Sequence, residues 1–337
     1  MNEALPIHCV ALSGGVGGAK LALGLSRVLP GDALTVVCNT ADDFDHLGLR
    51  ICPDLDTVMY TLAGISNRVT GWGQAHETWS FLEALSHLGG ETWFRLGDRD
   101  LATHVERSRW LRAGETLTEA TDALCRALGI AARVLPMSDD PVRTIVLTET
   151  GELSFQHYFV RDACEPAVSG FRFDGIDTAR PQAAFLSALE DQATRAILVC
   201  PSNPFVSVDP VLALDGVEEA LRRAAAPVVA VSPIIGGAAI KGPAAKMMAE
   251  LGMPVTAAGV ARHYQERDLL DGFVIDDADA GQAAEIEDLG VPTLVTGTVM
   301  ETLADRERLA GETMDFARGL GARCGDRAGT SPPERFA

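Results

Sequence analysis

The sequence has little of what membrane or nucleic-acid binding requires. No apolar run reaches the 18 or so residues of a membrane-spanning helix, and Met1 to Val10 lack the basic start and apolar stretch of a signal peptide. Aromatic residues make up only 6%, and no basic aromatic stripe suits nucleic acid. Basic residues are scarce as well: 28 Lys and Arg face 47 Asp and Glu, a net charge of −19, which repels nucleic acid at long range. We therefore expect a soluble cytoplasmic protein, in which backbone amides, a few basic side chains and a metal must attract any anionic ligand.

The cysteines do not form a recognisable metal or disulfide pattern. There are seven, an odd number, and no two are spaced as CxxC. Cys9, Cys38 and Cys200 lie in apolar, strand-like runs, so we predict buried thiols in a reducing compartment. No Cys/His spacing suits zinc, and no local Ser-His-Asp or Cys-His arrangement suggests a covalent nucleophile.

Short apolar runs alternate with helical patterns over most of the chain. Residues 8–12 and 34–38 read as buried strands, each followed by a polar or glycine-rich loop and a helix, and the pattern returns after residue 196. We predict an α/β fold: a Rossmann-like parallel sheet core with helices on both faces and an inserted small α+β subdomain. The predicted bounds are 1–108 and 173–320 for the core, 109–172 for the insertion, and 321–337 for a disordered tail.

Two finer features are predicted as well. Val142–Leu147 and Leu153–Phe159 read as the strands of a hairpin joined by a Glu-Thr-Gly-Glu turn. Pro254–Thr256 reads as a further short strand. In such sheets ligands gather beyond the carboxyl ends of the strands, so the loops that follow the strands could converge on one site.

The first of these loops reads Ser13-Gly-Gly-Val-Gly-Gly-Ala-Lys20. Glycines let the backbone approach a ligand closely, and the N-terminus of the next helix offers free amides to a phosphate. Because neither the GxxxxGK[ST] nor the GxGxxG spacing is present, a tight strand-to-helix turn remains an equal alternative. Gly14, Gly15 and Gly17 are the candidate phosphate-binding residues.

An acidic cluster follows the second strand. Asn39–Asp45 and Cys52–Thr57 together contain five carboxylates. Asp54 beside a proline is typical of a helix cap, and Asp56 in the first turn could complement the helix dipole. A cap does not need so many acids, however, and Mg²⁺ is usually held by one or two carboxylates with water and substrate oxygens. We predict a metal or base role for part of the cluster.

Three further loops carry polar groups that could bind an anion. Phe94–Asp100 contains Arg95 and Arg99, which are candidates if this is not simply a solvated loop, while His104 behind it is more typical of a local hydrogen bond. Pro201–Pro204 offers Ser202 and Asn203. Ser232–Lys246 offers flexible glycines with Lys241 and Lys246, the second of which fits a phosphate role near a helix N-terminus.

Taken in order, these loops resemble the 2-phospho-L-lactate transferase family of coenzyme F420 biosynthesis, the CofD or FbiA type. The resemblance runs from about Val10 to Phe316. It rests on seven motifs in sequence order: Ser13–Lys20, Asn39–Asp43, Pro53–Val58, Leu96–His104, Pro136–Val142, Pro201–Pro204, and Val231–Gly236 with Gly242–Lys246.

This resemblance implies a Mg²⁺-dependent phosphotransferase, typically a homodimer with a Rossmann-like core. Such an enzyme moves a phospho-hydroxyacid group from a guanosine diphosphate-linked donor to the deazaflavin Fo and releases GMP. The resemblance also implies that Asp56 and Arg95 bind the deazaflavin. We expect Asp56 at the attacking hydroxyl as metal ligand or base, and Asp43 as a second metal ligand. On the nucleotide side we expect Gly14, Gly15, Gly17, Ser202, Asn203 and Lys246.

Some alternatives stay open. The acidic loop reads Asp-Asp-Phe-Asp-His-Leu-Gly, which departs from archaeal phospholactate enzymes and is closer to bacterial members, so the donor acid could be of the lactate, enolpyruvate or glycerate type. An NAD-dependent oxidoreductase is a weaker alternative, because no acid for a ribose ends the second strand. The alternative from another class is a nucleotide-sugar-binding regulatory protein of the related gluconeogenesis-factor family.

Overall fold

A seven-stranded parallel β-sheet forms the centre of the protein in a computed structural model that describes residues 8–324. The strand order is β14-β13-β10-β9-β1-β2-β5, and every neighbouring pair is parallel. The strands of this sheet are β1 His8–Ser13, β2 Leu34–Cys38, β5 Arg133–Pro136, β9 Thr194–Val199, β10 Val228–Val231, β13 Gly272–Ile275 and β14 Thr293–Val295.

Three small antiparallel sheets accompany it in the described chain: β3 Phe44–His46 with β4 Leu49–Ile51; β6 Arg143–Thr148 with β7 Gly151–Ser154 and β8 Val168–Asp174; and β11 Ile234–Ile235 with β12 Ala238–Ala239. The helices are α1 Gly15–Val28, α2 Pro53–Leu62, α3 Ser80–His87, α4 Asp98–Arg112, α5 Leu117–Ala127, α6 Ala183–Glu190, α7 Asp209–Leu212, α8 Val217–Arg223, α9 Ala244–Glu250, α10 Ala257–Gln265, α11 Ala283–Glu287 and α12 Leu303–Cys324.

The core consists of two apolar layers, one on each face of the main sheet. Side chains alternate along each strand, so Cys9 and Ala11 of β1 face one layer while Val10 and Leu12 face the other. The first layer is completed by α1, α2, α5 and α12, and the second by α6 to α11. Both faces are therefore covered, as a parallel sheet requires, and the predicted α/β class is confirmed.

Several boundaries differ from the sequence predictions. Strand β5 lies inside the predicted insertion 109–172, yet it pairs with β2 in the main sheet, so the separate antiparallel sheet begins only at Arg143. The hairpin β6–β7 is present, but its second strand ends at Ser154 and a π-helical turn follows at His157–Arg161.

Two more predictions, both for the last third of the chain, also differ from the structure. Pro254–Thr256 is not a strand, because Thr256 caps α10 by accepting a hydrogen bond from Gly259. The predicted tail 321–337 begins within α12, which continues to Cys324, and the remainder lies outside the described residues. Cys9, Cys38 and Cys200 are buried free thiols as expected. Within residues 8–324, no helix has the length and apolarity needed to span a membrane.

Candidate active site

The sheet order changes direction between β1 and β9. From β1 the chain builds outward through β2 and β5, and it later builds the other half from β9 through β10, β13 and β14. The loops that follow β1 and β9 therefore leave neighbouring strands at the same edge of the sheet. A crevice at such a switch point is where α/β proteins bind ligands.

These two loops are in direct contact. The amide of Gly14 donates a hydrogen bond to Ser202 Oγ over 3.1 Å, and Ser202 Oγ donates to the Gly14 carbonyl over 2.9 Å. A Cβ atom at Gly17 would lie 2.2 Å from the carbonyl oxygen of Pro201, closer than any side chain allows. The glycine motif is thus required for backbone packing. Gly14 is the N-cap of α1 and the following glycines lie in its first turn, so the motif is not a free loop.

A cavity of about 690 Å³ opens at this point, a size typical of small-molecule sites. Most of the residues predicted for the site line it: Gly14, Gly15, Gly17, Asp56, Arg95, Ser202 and Asn203. Asp43 and Lys246 are not among the lining residues. The topology thus brings together loops that are far apart in the sequence, from that of Gly14 to that of Asn203.

One wall of the cavity is acidic and begins at Asp54. Its carboxylate does not cap its own helix but accepts hydrogen bonds from the Gly15 amide over 2.7 Å and from Asn39 Nδ2 over 3.0 Å. Burial nevertheless raises the pKa of Asp54 to about 6, against the opposing effect of these two hydrogen bonds. Asp54 therefore links the acidic cluster directly to the first helix amide of the glycine motif.

Asp42 is the second carboxylate of this wall. It is buried, and one of its oxygens has no hydrogen-bond partner. Burial, together with the negative charge of Asp54, raises the pKa of Asp42 well above its usual range. A cation between the two carboxylates would relieve both effects.

The described residues contain no cluster of three or more His, Cys, Asp or Glu side chains arranged to hold a metal. This is compatible with Mg²⁺, which commonly uses one or two carboxylates together with substrate phosphates and water. The unpartnered oxygen of Asp42 beside Asp54 fits such a site. The predicted ligand Asp43 is buried next to Cys52, away from the cavity lining.

Asp56 occupies a different part of the cavity and already has a cationic partner. Nη1 and Nη2 of Arg107 donate to both of its carboxylate oxygens, the Nη1 hydrogen bond being 3.1 Å long. Arg107 is completely buried. Sequence reasoning missed this residue because nothing in its local pattern distinguishes it from the other arginines of α4.

The pair extends into a buried polar network between α2 and α4. His104 Nδ1 lies 3.6 Å from Asp56, and His104 Nε2 lies 3.4 Å from Asp100 Oδ1. The Tyr60 hydroxyl donates a hydrogen bond of 2.6 Å to the same oxygen of Asp100. Although burial opposes ionisation, His104, Tyr60 and the charge of Arg107 lower the pKa of Asp100.

Aromatic rings form another wall. Trp93 and Phe94 line the cavity and pack against each other with ring centroids 5.8 Å apart. Trp93 also contacts His157 at 4.9 Å, and Phe94 contacts Phe44 at 4.9 Å. Arg95 follows directly and stacks its guanidinium 4.4 Å from the ring centroid of Trp79. The surface can hold a planar ring by stacking.

Besides Arg95, two lysines line the cavity, Lys20 and Lys241. Lys20 Nζ donates to the Met300 carbonyl over 2.8 Å, and Lys241 Nζ donates to the Thr70 carbonyl over 2.6 Å. Both of these hydrogen bonds are made to backbone carbonyls and not to carboxylates. Burial, followed by the charges of Arg306 and Lys241, lowers the pKa of Lys20. In such an acidic protein, two lysines facing one cavity indicate an anion site.

Lys246, the lysine chosen from sequence, lies elsewhere. It forms an ion pair of 2.6 Å with Glu250 and donates to the Pro166 carbonyl over 2.9 Å. The helix α9 that carries it has seven residues and turns this side chain toward β8. Lys20, three residues after Gly17 and therefore on the same face of α1, was the better candidate from helical periodicity.

Comparison with known proteins now gives the family. A family model described as 2-phospho-L-lactate transferase CofD matches residues 9–290, well over half of the chain. The chain belongs to the CofD family. Every one of the cavity walls described above lies mainly within the matched range. Membership in this family of transferases removes the oxidoreductase alternative.

Curated relatives agree with this membership over nearly their whole length. The phosphoenolpyruvate transferase of Kitasatospora aureofaciens is 45% identical over 315 residues, which are 90% of this chain and 97% of the relative. The 2-phospho-L-lactate transferase of Methanosarcina acetivorans is 42% identical over 311 residues, with 92% and 98% covered. Relatives named for two different groups, phosphoenolpyruvate and 2-phospho-L-lactate, therefore have nearly the same sequence identity to this chain.

Solved structures confirm the fold of this family member. A UPF0052 family protein from Bacillus halodurans superimposes with a TM-score of 0.62 at 15% sequence identity, covering 92% of this chain and 99% of the other. At that identity the likeness shows the fold alone.

Proposed function

We propose that this protein is a transferase of coenzyme F420 biosynthesis that joins a phospho-hydroxyacid group to the deazaflavin Fo. The donor is the acid linked to guanosine diphosphate, and GMP is released. The observation that supports this most directly is that two unlike sets of residues line one cavity. The N-terminal turn of α1 with Lys20 and Lys241 is one set, which we assign to the donor half, and Trp93 and Phe94 with Asp56 are the other, which we assign to the acceptor half.

The donor fits the first half. Gly17, Ser202 and Asn203 line the cavity at the start of α1, where the positive end of the helix dipole would attract a diphosphate. Lys20 and Lys241 supply positive charge for its oxygens. Phosphoryl transfer depends mainly on positioning and charge neutralisation, so these groups, together with Mg²⁺, would hold the donor and stabilise departing GMP.

The acceptor fits the second half. The planar deazaflavin ring would stack on Trp93 and Phe94, with Arg95 at its edge. Asp56 then faces the hydroxyl-bearing side chain of Fo. The terminal hydroxyl oxygen forms a bond to the phosphorus that carries the acid, the bond from that phosphorus to the GMP oxygen breaks with its electron pair, and the hydroxyl proton passes to solvent.

Asp42 and Asp54 would hold Mg²⁺, in place of the pair Asp43 and Asp56 predicted from sequence. When bound, the ion would neutralise negative charge on the diphosphate. The unpartnered oxygen of Asp42 supports this choice. The hydrogen bonds to Asp54 come from neutral groups and leave its charge uncompensated, whereas the cationic Arg107 already pairs with Asp56. We expect chelation of divalent cations to abolish turnover, and Asp42→Asn to weaken Mg²⁺ binding without changing the affinity for Fo.

The decisive experiment mixes the protein with Mg²⁺, Fo and each of three guanosine diphosphate-linked acids: lactate, enolpyruvate and glycerate. Mass spectrometry follows GMP release and the new phosphodiester. We expect transfer with at least one donor, and the preferred donor identifies the acid. No transfer with any donor, combined with tight binding of nucleotide sugars, would support the regulatory protein instead.

A further inference from the structure

The helix α4 buries a face made only of polar residues. Its buried side chains are Asp100, Thr103, His104, Arg107 and Ser108, whereas a surface helix of a globular protein ordinarily buries an apolar stripe. A buried ion pair contributes little net stability compared with apolar packing, and it is often kept for specificity. The buried face of α4 therefore has a purpose other than stability.

The polar face of α4 meets a matching face of α2. Asp100, His104 and Arg107 are spaced four and three residues apart on α4, and Asp56 and Tyr60 are four apart on α2. These spacings place each set on one side of its helix. All of them except Arg107 line the cavity, so Arg107 stands behind the wall that the others form.

From this arrangement we infer that Arg107 is a positioning residue for the acceptor, acting through Asp56. Its planar guanidinium donates to both oxygens of one carboxylate, a geometry that fixes the plane as well as the position of that carboxylate. The remaining lone pairs of Asp56 then point in a fixed direction into the acceptor half of the cavity. This inference rests on the proposed function, in which that half receives Fo.

His104 keeps Arg107 from turning away. Its Nδ1 lies 3.4 Å from Nη1 of Arg107, and its other nitrogen faces Asp100, which Tyr60 holds in turn. His104 thus lies beside both members of the ion pair and helps to orient them.

The test uses Arg107→Lys, which keeps the positive charge but replaces a planar double donor with a single ammonium. We expect a protein that melts within a few degrees of the wild type. Its KM for Fo should rise about tenfold, while its KM for the guanosine diphosphate-linked donor stays within twofold. Arg109→Lys is the matched control, because Arg109 lies on the exposed side of the same helix and pairs with Glu106; it should change none of these quantities.

A double-mutant cycle separates positioning from general support of the fold. If Arg107 acts only through Asp56, then adding Arg107→Lys to Asp56→Asn leaves the KM for Fo within twofold of the Asp56→Asn value. The inference is overturned if the KM for Fo is unchanged in Arg107→Lys, if both KM values rise together, or if the two substitutions are additive. Failure of the proposed function is a separate result, since the wild-type protein itself would then show no transfer.

Discussion

Replacing Asp43 by asparagine is expected to stabilise the ligand-free protein at pH 8. Asp43 is 2% exposed, and one of its carboxylate oxygens has no partner. Burial raises its pKa from an ordinary value of 3.8 to about 7, despite the thiol of Cys52 and the nearby charges of Arg143, Arg107 and Arg50, which lower it. Asparagine keeps an oxygen for the thiol and removes the buried charge.

The sign and size follow from proton linkage. The folded protein binds the Asp43 proton more tightly than the unfolded chain, so stability falls as pH rises from about 4 to about 7, and the full deficit remains above that. A shift of about three pKa units corresponds to about 4 kcal/mol as an upper limit. With an unfolding entropy of about 2 cal/mol/K per residue, this raises the melting temperature by at most about 6 °C.

Thermal unfolding from pH 5 to pH 8.5, in buffer with a chelator, measures the effect. Asp45→Asn is the matched control, because Asp45 is largely exposed and its hydrogen bond with Arg50 lowers its pKa; it should not stabilise the protein at pH 8. The reasoning fails if Asp43→Asn is less stable than the wild type at pH 8, or if the difference between them does not shrink as pH approaches 5.

Two further predictions concern the glycine motif and the lysines. Gly17→Ala should lower the free energy of unfolding by about 1–3 kcal/mol, since its Cβ would meet the Pro201 carbonyl. The control is Gly311→Ala, where nothing lies within 4 Å of the added Cβ. Equal melting temperatures of these two variants in thermal unfolding would contradict the prediction. Lys20→Met should reduce kcat/KM for the donor about 10- to 100-fold by removing one charge-assisted contact. Steady-state kinetics would refute this if Lys246→Met, outside the cavity, had the same effect.

The sequence predicted the parallel sheet and most of the cavity because both depend on local patterns. Buried strands are short apolar runs, and the loops after parallel strands converge whatever their distance along the chain. Gly14, Ser202 and Asn203 could therefore be assigned to one site without knowing how the helices pack. The same logic failed for β5, because it has only two aliphatic residues, between Arg133 and Pro136, and so lacks the apolar run that marks the other strands.

What the sequence could not show are the pairings that tertiary packing decides. Asp54 looked like a helix cap, but its carboxylate reaches the amide of Gly15, 39 residues away. Arg107 has no motif, and its meaning appears only when α4 lies against α2. Asp42 and Asp43 are neighbours in sequence, yet only Asp42 lines the cavity. Residue type was sufficient to find the acidic cluster, whereas side-chain direction decided the role of each member.

The close backbone contact between Gly17 and Pro201 has a consequence for how substrates come and go. It leaves no space between the turns that follow β1 and β9, so these two turns cannot separate without losing this packing. On the cavity lining, Lys241 links a second pair of segments by donating a hydrogen bond to the backbone carbonyl of Thr70. An arriving phosphate would compete with that carbonyl for the lysine, so this link can open where the first cannot.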